Sequence, residues 1–267
     1  MAKSRLVTLM TDFGTRDYYV GAMKGVILRN CPAARIVDIC HDLPAQNVVA
    51  AAYALAYAVP EYPDETLHVV VVDPGVGTDR RILAARFGEQ TVLAPDNGVL
   101  SVLKNHLPLR EIVSVRNPRY VPPTPKLGTF HGRDIFAPVA AHLLNGVAVA
   151  ALGPPCDSFS VLDLPEPVSA GGEVTGTVLY ADHFGNLVSN IPSDLLTQLA
   201  ADVTEICVEV SGQHVGRLLP SYGFAPAGEP LAVINSMGLL EVSVNQGSAA
   251  DRFAAGFGDR VRVTRNR

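Results

Sequence analysis

Apolar and polar positions alternate in blocks through the first half of the chain, and the blocks predict strands and helices in turn. Leu6–Met10 reads as a strand and TDFGTRD as the loop after it; Tyr18–Leu28 reads as a helix with Asp17 as its expected N-cap. Arg35–Cys40 is a second strand, ending in His41-Asp42-Leu43-Pro44. Asn47–Ala58 is an Ala-rich helix with Asn47 or Gln46 at its start, and Leu67–Val72 is a third strand. Ile82–Phe87 and Thr91–Ala94 are further strands, Gly98–Asn105 a short helix and Arg133–Leu144 another helix. Strand–helix alternation of this kind predicts an α/β domain with a mostly parallel, layered sheet. The texture changes near Gly153, where prolines and glycines mark a linker. Short β-type runs follow: Val174–Tyr180, Leu187–Ser189, Glu205–Val210, Leu231–Ile234, Leu239–Val242 and Arg260–Thr264, with only Ser193–Ala200 helical. The expected organisation is an α/β N-terminal domain over 1–155, a linker over 156–172 and a smaller, mainly antiparallel, barrel-like β domain over 173–267.

Within this pattern, Val69–Arg81 (VVVVDPGVGTDRR) is the most informative segment. Four valines in a row read as a strand buried on both faces. The run stops on Asp73, Pro74, Gly75 and Gly77 force a turn, and Arg80 and Arg81 follow. A carboxylate at a strand's carboxyl end with guanidinium groups nearby falls where open α/β sheets hold their ligands. A plain strand exit with a surface ion pair accounts for the same residues. Other clusters repeat the design: Asp12 in TDFG, Asp96-Asn97-Gly98 in APDNG, His131, Arg133 and Asp134 in TFHGRD, Asp182, Phe184 and Asn186 in DHFGN, and Asn235 and Ser236 in INSMG. Each has a bland reading too, since Asp-Asn-Gly is a common turn signal and an Asp before a helix is a cap.

Composition narrows the classes. With 267 residues, 48% of them hydrophobic, the chain can build a substantial core. A net charge of -5 argues against a nucleic-acid surface. No apolar run approaches the roughly 20 residues that span a membrane, and MAKSRLVTLMTDFG does not read as a signal peptide. Cys31, Cys40, Cys156 and Cys207 show no CxxC pairing; they fit a reducing cytoplasm and give no zinc or disulfide framework. Asp12, Asp73, Asp96 and His131 would make an oxygen-rich metal site, but no two stand at ligand spacing on one element, so no metal is expected.

Taken in order, MTDFG, VVDPGVGTDRR, APDNG, TFHGRD, DHFGN and INSMG closely resemble the S-adenosylmethionine hydroxide adenosyltransferase family, the adenosine-forming S-adenosylmethionine hydrolases, related to fluorinase and chlorinase. The resemblance runs from Met10 to about Gly238 and implies several things. The catalytic triad is Asp73, Arg80 and His131. Asp12 meets the ribose hydroxyls; Asp182, Phe184 and Asn186 meet the methionine amino group, the adenine region and nearby polar atoms; Ser236 meets the methionine carboxylate. The halogenases have Tyr where this chain has Asp73, lack the histidine, and carry an insertion for which the short Arg86–Thr91 connection leaves no room. They also have Arg where Met237 stands and Trp where Gln46 stands, so the carboxylate contact and the ligand cover differ here. The family implies a homotrimer with active sites between subunits, and no cofactor. The implied reaction is attack of an activated water at C5′ of the ribose, releasing adenosine and methionine. Arg80 is always protonated and would stabilise hydroxide-like charge. Asp73 would orient it, and His131 is suited to hold the water or take its proton. Two other readings compete: a sensor of adenosine or S-adenosylmethionine without turnover, and a metal-dependent phosphohydrolase using Asp12, Asp73 and Asp96.

Overall fold

The computed structural model describes residues 5–121, 128–200, 202 and 205–265. The chain divides into two compact units, Met1–Leu162 and Asp163–Arg267.

The first unit is built on a six-stranded sheet of order β2-β1-β3-β5-β4-β6. Its strands are β1 (Leu6–Thr11), β2 (Arg35–Cys40), β3 (Leu67–Val71), β4 (Ile82–Phe87), β5 (Gln90–Pro95) and β6 (Leu109–Ser114). β1 and β3 are buried along their whole lengths. Their mainly apolar runs suit strands covered on both faces, and Thr8 and His68, which interrupt them, meet in a hydrogen bond of 2.8 Å. Helices α1 (Tyr19–Asn30), α2 (Val48–Ala58) and α3 (Ala137–Leu144) belong to the same unit. Met23 and Ile27 of α1 pack with Val139, Ala140 and Leu143 of α3 over Val7, Leu9, Val69 and Val71. Each Val, Leu, Ile or Met among them contributes roughly 1.5–3 kcal/mol by leaving water.

The sheet is mixed and partly parallel, which fits the expected layered α/β sheet broadly, with one reversed strand. β1–β2, β1–β3 and β3–β5 run parallel, while β4 is antiparallel to both β5 and β6. The reversal has a local cause: Phe87 pairs with Gln90, so Gly88-Glu89 closes a tight hairpin in which no crossover fits. β6 was not among the predicted strands; it begins on the exposed Leu109 and Arg110, and only its second half is buried. Three helix boundaries also differ. The N-cap of α1 is Tyr18, with no side-chain cap bond from Asp17. The region after Gly98 forms only a 3₁₀ turn at Leu103–Asn105. The helix expected at Arg133–Leu144 begins as a π turn, Gly132–Phe136, before α3.

The second unit is an eight-stranded antiparallel sheet of order β11-β10-β14-β8-β9-β13-β12, with β7 on β8. These strands are β7 (Val168–Ala170), β8 (Glu173–Ala181), β9 (Leu187–Pro192), β10 (Ile206–Val210), β11 (Gln213–Arg217), β12 (Pro230–Ile234), β13 (Leu239–Val244) and β14 (Arg260–Arg265). A bridge between Leu218, just past β11, and Ala232 of β12 brings the two edges together, so the sheet is barrel-like and nearly closed. Its core gathers alternate residues such as Val174, Val178, Ile206, Val208, Val261 and Val263. Beside α4 (Ser193–Leu199) there is a second helix, α5 (Ala249–Phe253), capped by Ser248 Oγ accepting from Asp251 N at 3.1 Å. Five residues are too few to show a helical period, which is why the expectation of a single helix here fails.

Candidate active site

The strand order of the first unit makes a crevice. From β1 the chain crosses to β2 on one side, then returns through α2 to β3 on the other. The order therefore reverses at the β1–β3 pair, the place where open α/β sheets bind ligands. Thr11 is in register with Val71. Asp12 and Asp73, one and two residues past those strand ends, fall at this point. A cavity of about 380 Å³ lies there, lined by Asp12, Phe13, Tyr19, Gln46, Asp73 and His131 among others.

Among the described residues Asp12 has one hydrogen bond, its Oδ2 accepting from the Gln46 backbone N at 2.7 Å. Gln46 has φ of 63°, an unfavourable region for a side chain. Strain at a ligand site is a recurrent device for aiming a backbone group. The loop carrying Asp12 is braced from behind by His41, which the sequence reading left without a role. Thr11 Oγ1 lies 2.9 Å from His41 Nδ1 and accepts from Phe13 N at 3.3 Å, while Gly14 N donates to His41 O at 2.8 Å. His41 follows directly on β2, and only its position at a strand end hinted at this.

Asp73, Arg80 and His131 form one hydrogen-bonded chain. The turn after Asp73 folds on itself, Val76 N donating to Asp73 O and Thr78 N to Gly75 O. Gly75 leaves room for the returning side chain, since a Cβ would lie 3.3 Å from Arg80 Cγ. Arg80 is thereby returned to the carboxylate that opened the turn. Its Nε donates to Asp73 Oδ1 at 2.9 Å and to Oδ2 at 2.8 Å, and its Nη2 also bonds Oδ2. The same Nη2 lies 2.9 Å from His131 Nδ1. The pair is buried, with side-chain exposures of 9% for Arg80 and 4% for Asp73. At such depth the charges interact far more strongly than in water.

His131 precedes the π turn, a distortion that recurs at functional sites. Burial pushes its pKa below the ordinary histidine value, and the Arg80 charge pushes the same way; Asp73 and a backbone hydrogen bond with Gly128 oppose them. An arginine N–H only donates, so Nδ1 must accept and the imidazole is neutral. Both oxygens of Asp73 and Nδ1 of His131 are therefore committed to Arg80. Nη1 of Arg80 makes no hydrogen bond to any of the described residues. It is the unoccupied donor of the cluster.

The neighbouring arginine goes elsewhere. Arg81 Nε donates to Asp96 Oδ2 at 2.7 Å and its Nη2 to Ser158 O at 3.0 Å, while Asp96 Oδ1 accepts from Ser160 N at 2.7 Å. Asn97 Nδ2 binds Val72 O at 2.8 Å. These residues pin the chain beyond β5 to the 158–160 segment. Arg133 and Asp134 pair with each other, and the Arg133 guanidinium lies 5.0 Å from the Phe130 ring centre. Among the described residues no three His, Cys, Asp or Glu side chains cluster as metal ligands.

In the second unit, Asp182 and Asn186 bracket a tight turn. Asp182 Oδ1 accepts from Phe184 N at 2.9 Å and Asn186 N at 2.8 Å, and Oδ2 accepts from Asn186 Nδ2 at 3.0 Å. Phe184 stands at the tip, 72% exposed. A cavity of about 540 Å³ is lined by Asp182, Phe184, Asn186, Tyr222, Asn245 and Ser248. Ser236 is exposed in the turn after β12 and does not line it. Tyr222, and Glu241 behind it, are not among the residues that the sequence motifs point to. The visible signal was a glutamate at an otherwise apolar, fully buried strand position.

Fold and site define a two-unit protein, α/β then antiparallel β, with a buried acid–arginine–histidine cluster at the switch point of its first sheet. Residues 7–153 match the SAM hydroxide adenosyltransferase N-terminal domain and residues 176–262 its C-terminal domain. The chain belongs to the SAM hydroxide adenosyltransferase family. It is 40% identical to the (R)-S-adenosyl-L-methionine hydrolase of Thermus thermophilus, covering 97% of this chain and 99% of that one. It is 27% identical to the fluorinase of Actinopolyspora mzabensis, covering 98% and 97%. The crystal structure of an uncharacterized conserved protein from Thermotoga maritima superposes with a TM-score of 0.87 at 37% identity, covering 97% of this chain and all of that one.

Proposed function

We propose that this protein hydrolyses S-adenosyl-L-methionine to adenosine and L-methionine by attack of water or hydroxide at C5′. The substrate sulfonium is already an activated leaving group: methionine departs with the C5′–S electron pair as a C5′–O bond forms, and one proton is released. What the protein must supply is an aligned, deprotonated or hydroxide-like oxygen. The observation that carries the reading is the buried Asp73–Arg80–His131 chain beside Asp12.

In this arrangement Arg80 is the oxygen-stabilising group and Nη1 the donor that meets it. A guanidinium presented in a water-poor setting favours developing negative charge. Asp73 and neutral His131 hold the guanidinium plane from two sides. Because Nδ1 is occupied, His131 does not take the water proton in this geometry, and its role is to orient Arg80. The sequence alone leaves His131 to hold the water or to take its proton. Asp12, with Oδ1 uncommitted, is placed to bind ribose hydroxyls; Asp182, Phe184, Asn186 and Ser236 are proposed for the methionine and adenine portions. The full proposal includes a cytoplasmic homotrimer with sites completed between subunits. The free thiols of all four cysteines suit a reducing compartment, and no helix among the described residues is long and apolar enough to cross a membrane.

Turnover in ¹⁸O-water tests the chemistry. The expected result is adenosine labelled at the 5′-hydroxyl, with activity unchanged by EDTA. Unlabelled adenosine would overturn the mechanism, and rescue by a divalent ion after chelation would favour a phosphohydrolase. Sedimentation of a fully active monomer would remove the shared-site assembly.

A further inference from the structure

Glu241 is a buried carboxylate with an unusual set of partners. It is 3% exposed. No Lys, Arg or His among the described residues forms an ion pair with it, and it is satisfied by neutral donors alone. Oε1 accepts from Tyr222 Oη at 2.7 Å and Ser243 Oγ at 2.8 Å, and Oε2 from Asn235 Nδ2 at 3.3 Å. Burying such a group is costly, so its partners are the place to look for what it does. Two of them lead to the proposed ligand face. Tyr222 is 42% exposed and lines the cavity with Asp182, Phe184 and Asn186, so its ring is offered outward while its hydroxyl is tied inward. Asn235 Oδ1 accepts from Met237 N at 3.0 Å and Leu239 N at 3.2 Å, closing the turn that carries Ser236. Ser243 is fully buried and leads nowhere.

We propose that Glu241 is a positioning residue of the second unit: it sets the Tyr222 ring and the Asn235–Met237 turn together, so that the face receiving S-adenosylmethionine is preformed. The proposal rests on the hydrolase reading above. Tyr222 supports it through its titration, which burial raises above the ordinary tyrosine range, with the Glu241 hydrogen bond and charge and the Asp182 charge adding to it.

The chemistry of Glu241→Gln is specific. A glutamine keeps a carbonyl for Tyr222 and Ser243 but turns an NH₂ toward the Asn235 amide, which cannot flip because its oxygen already holds two backbone N–H groups. Tyr222→Phe breaks the other arm. Each variant should raise KM for S-adenosylmethionine roughly 5- to 30-fold with kcat within about twofold, the size expected for one disrupted buried hydrogen bond. Ser243→Ala should leave both constants within about twofold. The second readout needs no substrate. The near-ultraviolet absorbance of neutral Tyr222, taken in each background as the difference from its Tyr222→Phe counterpart, should shift to shorter wavelength in Glu241→Gln, as a charged hydrogen-bond acceptor is removed. Unchanged KM in both variants, equal KM effects in Ser243→Ala, or an unmoved tyrosine would each overturn the proposal. If the intact protein converts no S-adenosylmethionine, the hydrolase reading fails by itself, and the tyrosine shift still decides whether Glu241 governs Tyr222.

Discussion

The carboxylates of the two units are satisfied in opposite ways. Asp73 in the first unit spends both oxygens on the Arg80 guanidinium, and the pair is sealed from water. Asp182 and Glu241 in the second unit accept only from backbone N–H, amide and hydroxyl donors. The first arrangement cancels charge locally and delivers an aimed cation. The second leaves negative charge uncancelled, so a ligand's cationic group gains from entering it. In the proposed reaction the first would present positive charge to an attacking oxygen, and the second would offer negative charge to a cationic substrate.

The largest expected effect comes from removing the aimed cation. Arg80→Ala should lower kcat by about 10²–10³, the loss typical of one oxyanion-stabilising donor, while calorimetric affinity for S-adenosylmethionine changes little. Equal losses in kcat and affinity would mean that Arg80 binds substrate rather than stabilises the transition state. Next in size is the second unit's charge. Asp182→Asn should weaken S-adenosylmethionine binding by about 1.5–3 kcal/mol, the range for a hydrogen bond to a charged group, and leave adenosine binding almost unaltered. If both ligands lose equally, charge is not what Asp182 supplies.

A pH series sharpens the comparison further. His131 is lowered by burial first and by Arg80 second, so it must stay neutral for Nδ1 to accept. Its folded pKa lies below the unfolded value near 6.5, so between the two the unfolded chain binds more protons. Its contribution to stability is thus intact above about 6.5 and lost as pH falls through its lowered folded value. The rate should fall over the same acid window, and the break should vanish in His131→Gln. A rate that stays flat while NMR shows His131 becoming protonated would show that the neutral imidazole does not matter. His68, at the far end of β3, is the structural control. Burial alone pulls its pKa down to about 4, so its protonation should cost stability without touching turnover at higher pH.

Arg81→Ala is the smallest expected effect on catalysis. Its partners are Asp96 and the Ser158 carbonyl, and the side chain is 32% exposed. The variant should lose about 1 kcal/mol of stability, near 2–4 °C in Tm for a chain of this size, with kcat within about twofold. A kcat loss matching that of Arg80→Ala would erase the distinction between adjacent arginines.

Much of this was legible from local order. β2 and β4 match their apolar runs residue for residue, and the α2 start is where Asn47 caps it, accepting from Ala50 N at 2.9 Å. The Asp73-to-Arg80 turn is a short-range product of Pro74, Gly75 and Gly77. Long-range order was less accessible. β6 mixes apolar and polar residues without alternation and β11 is largely polar, and both gain their hydrogen bonds only once a neighbour strand exists. The sign of the β4 pairing came from a two-residue hairpin that leaves no periodic trace.

By itself, the order of residues determined the sequence of elements, the change from α/β to β texture and the residue types able to carry chemistry, because periodicity, caps and turns act over a few positions. Only the tertiary structure decided which strands meet, and with them that Arg80 turns to Asp73 and His131 while Arg81 turns to Asp96. It decided that His131 accepts rather than donates at Nδ1, 51 positions away from its partner, and that Glu241 faces inward toward Tyr222. Such facts depend on packing between distant segments, where burial and charge set the state of each group, and no local pattern encodes them.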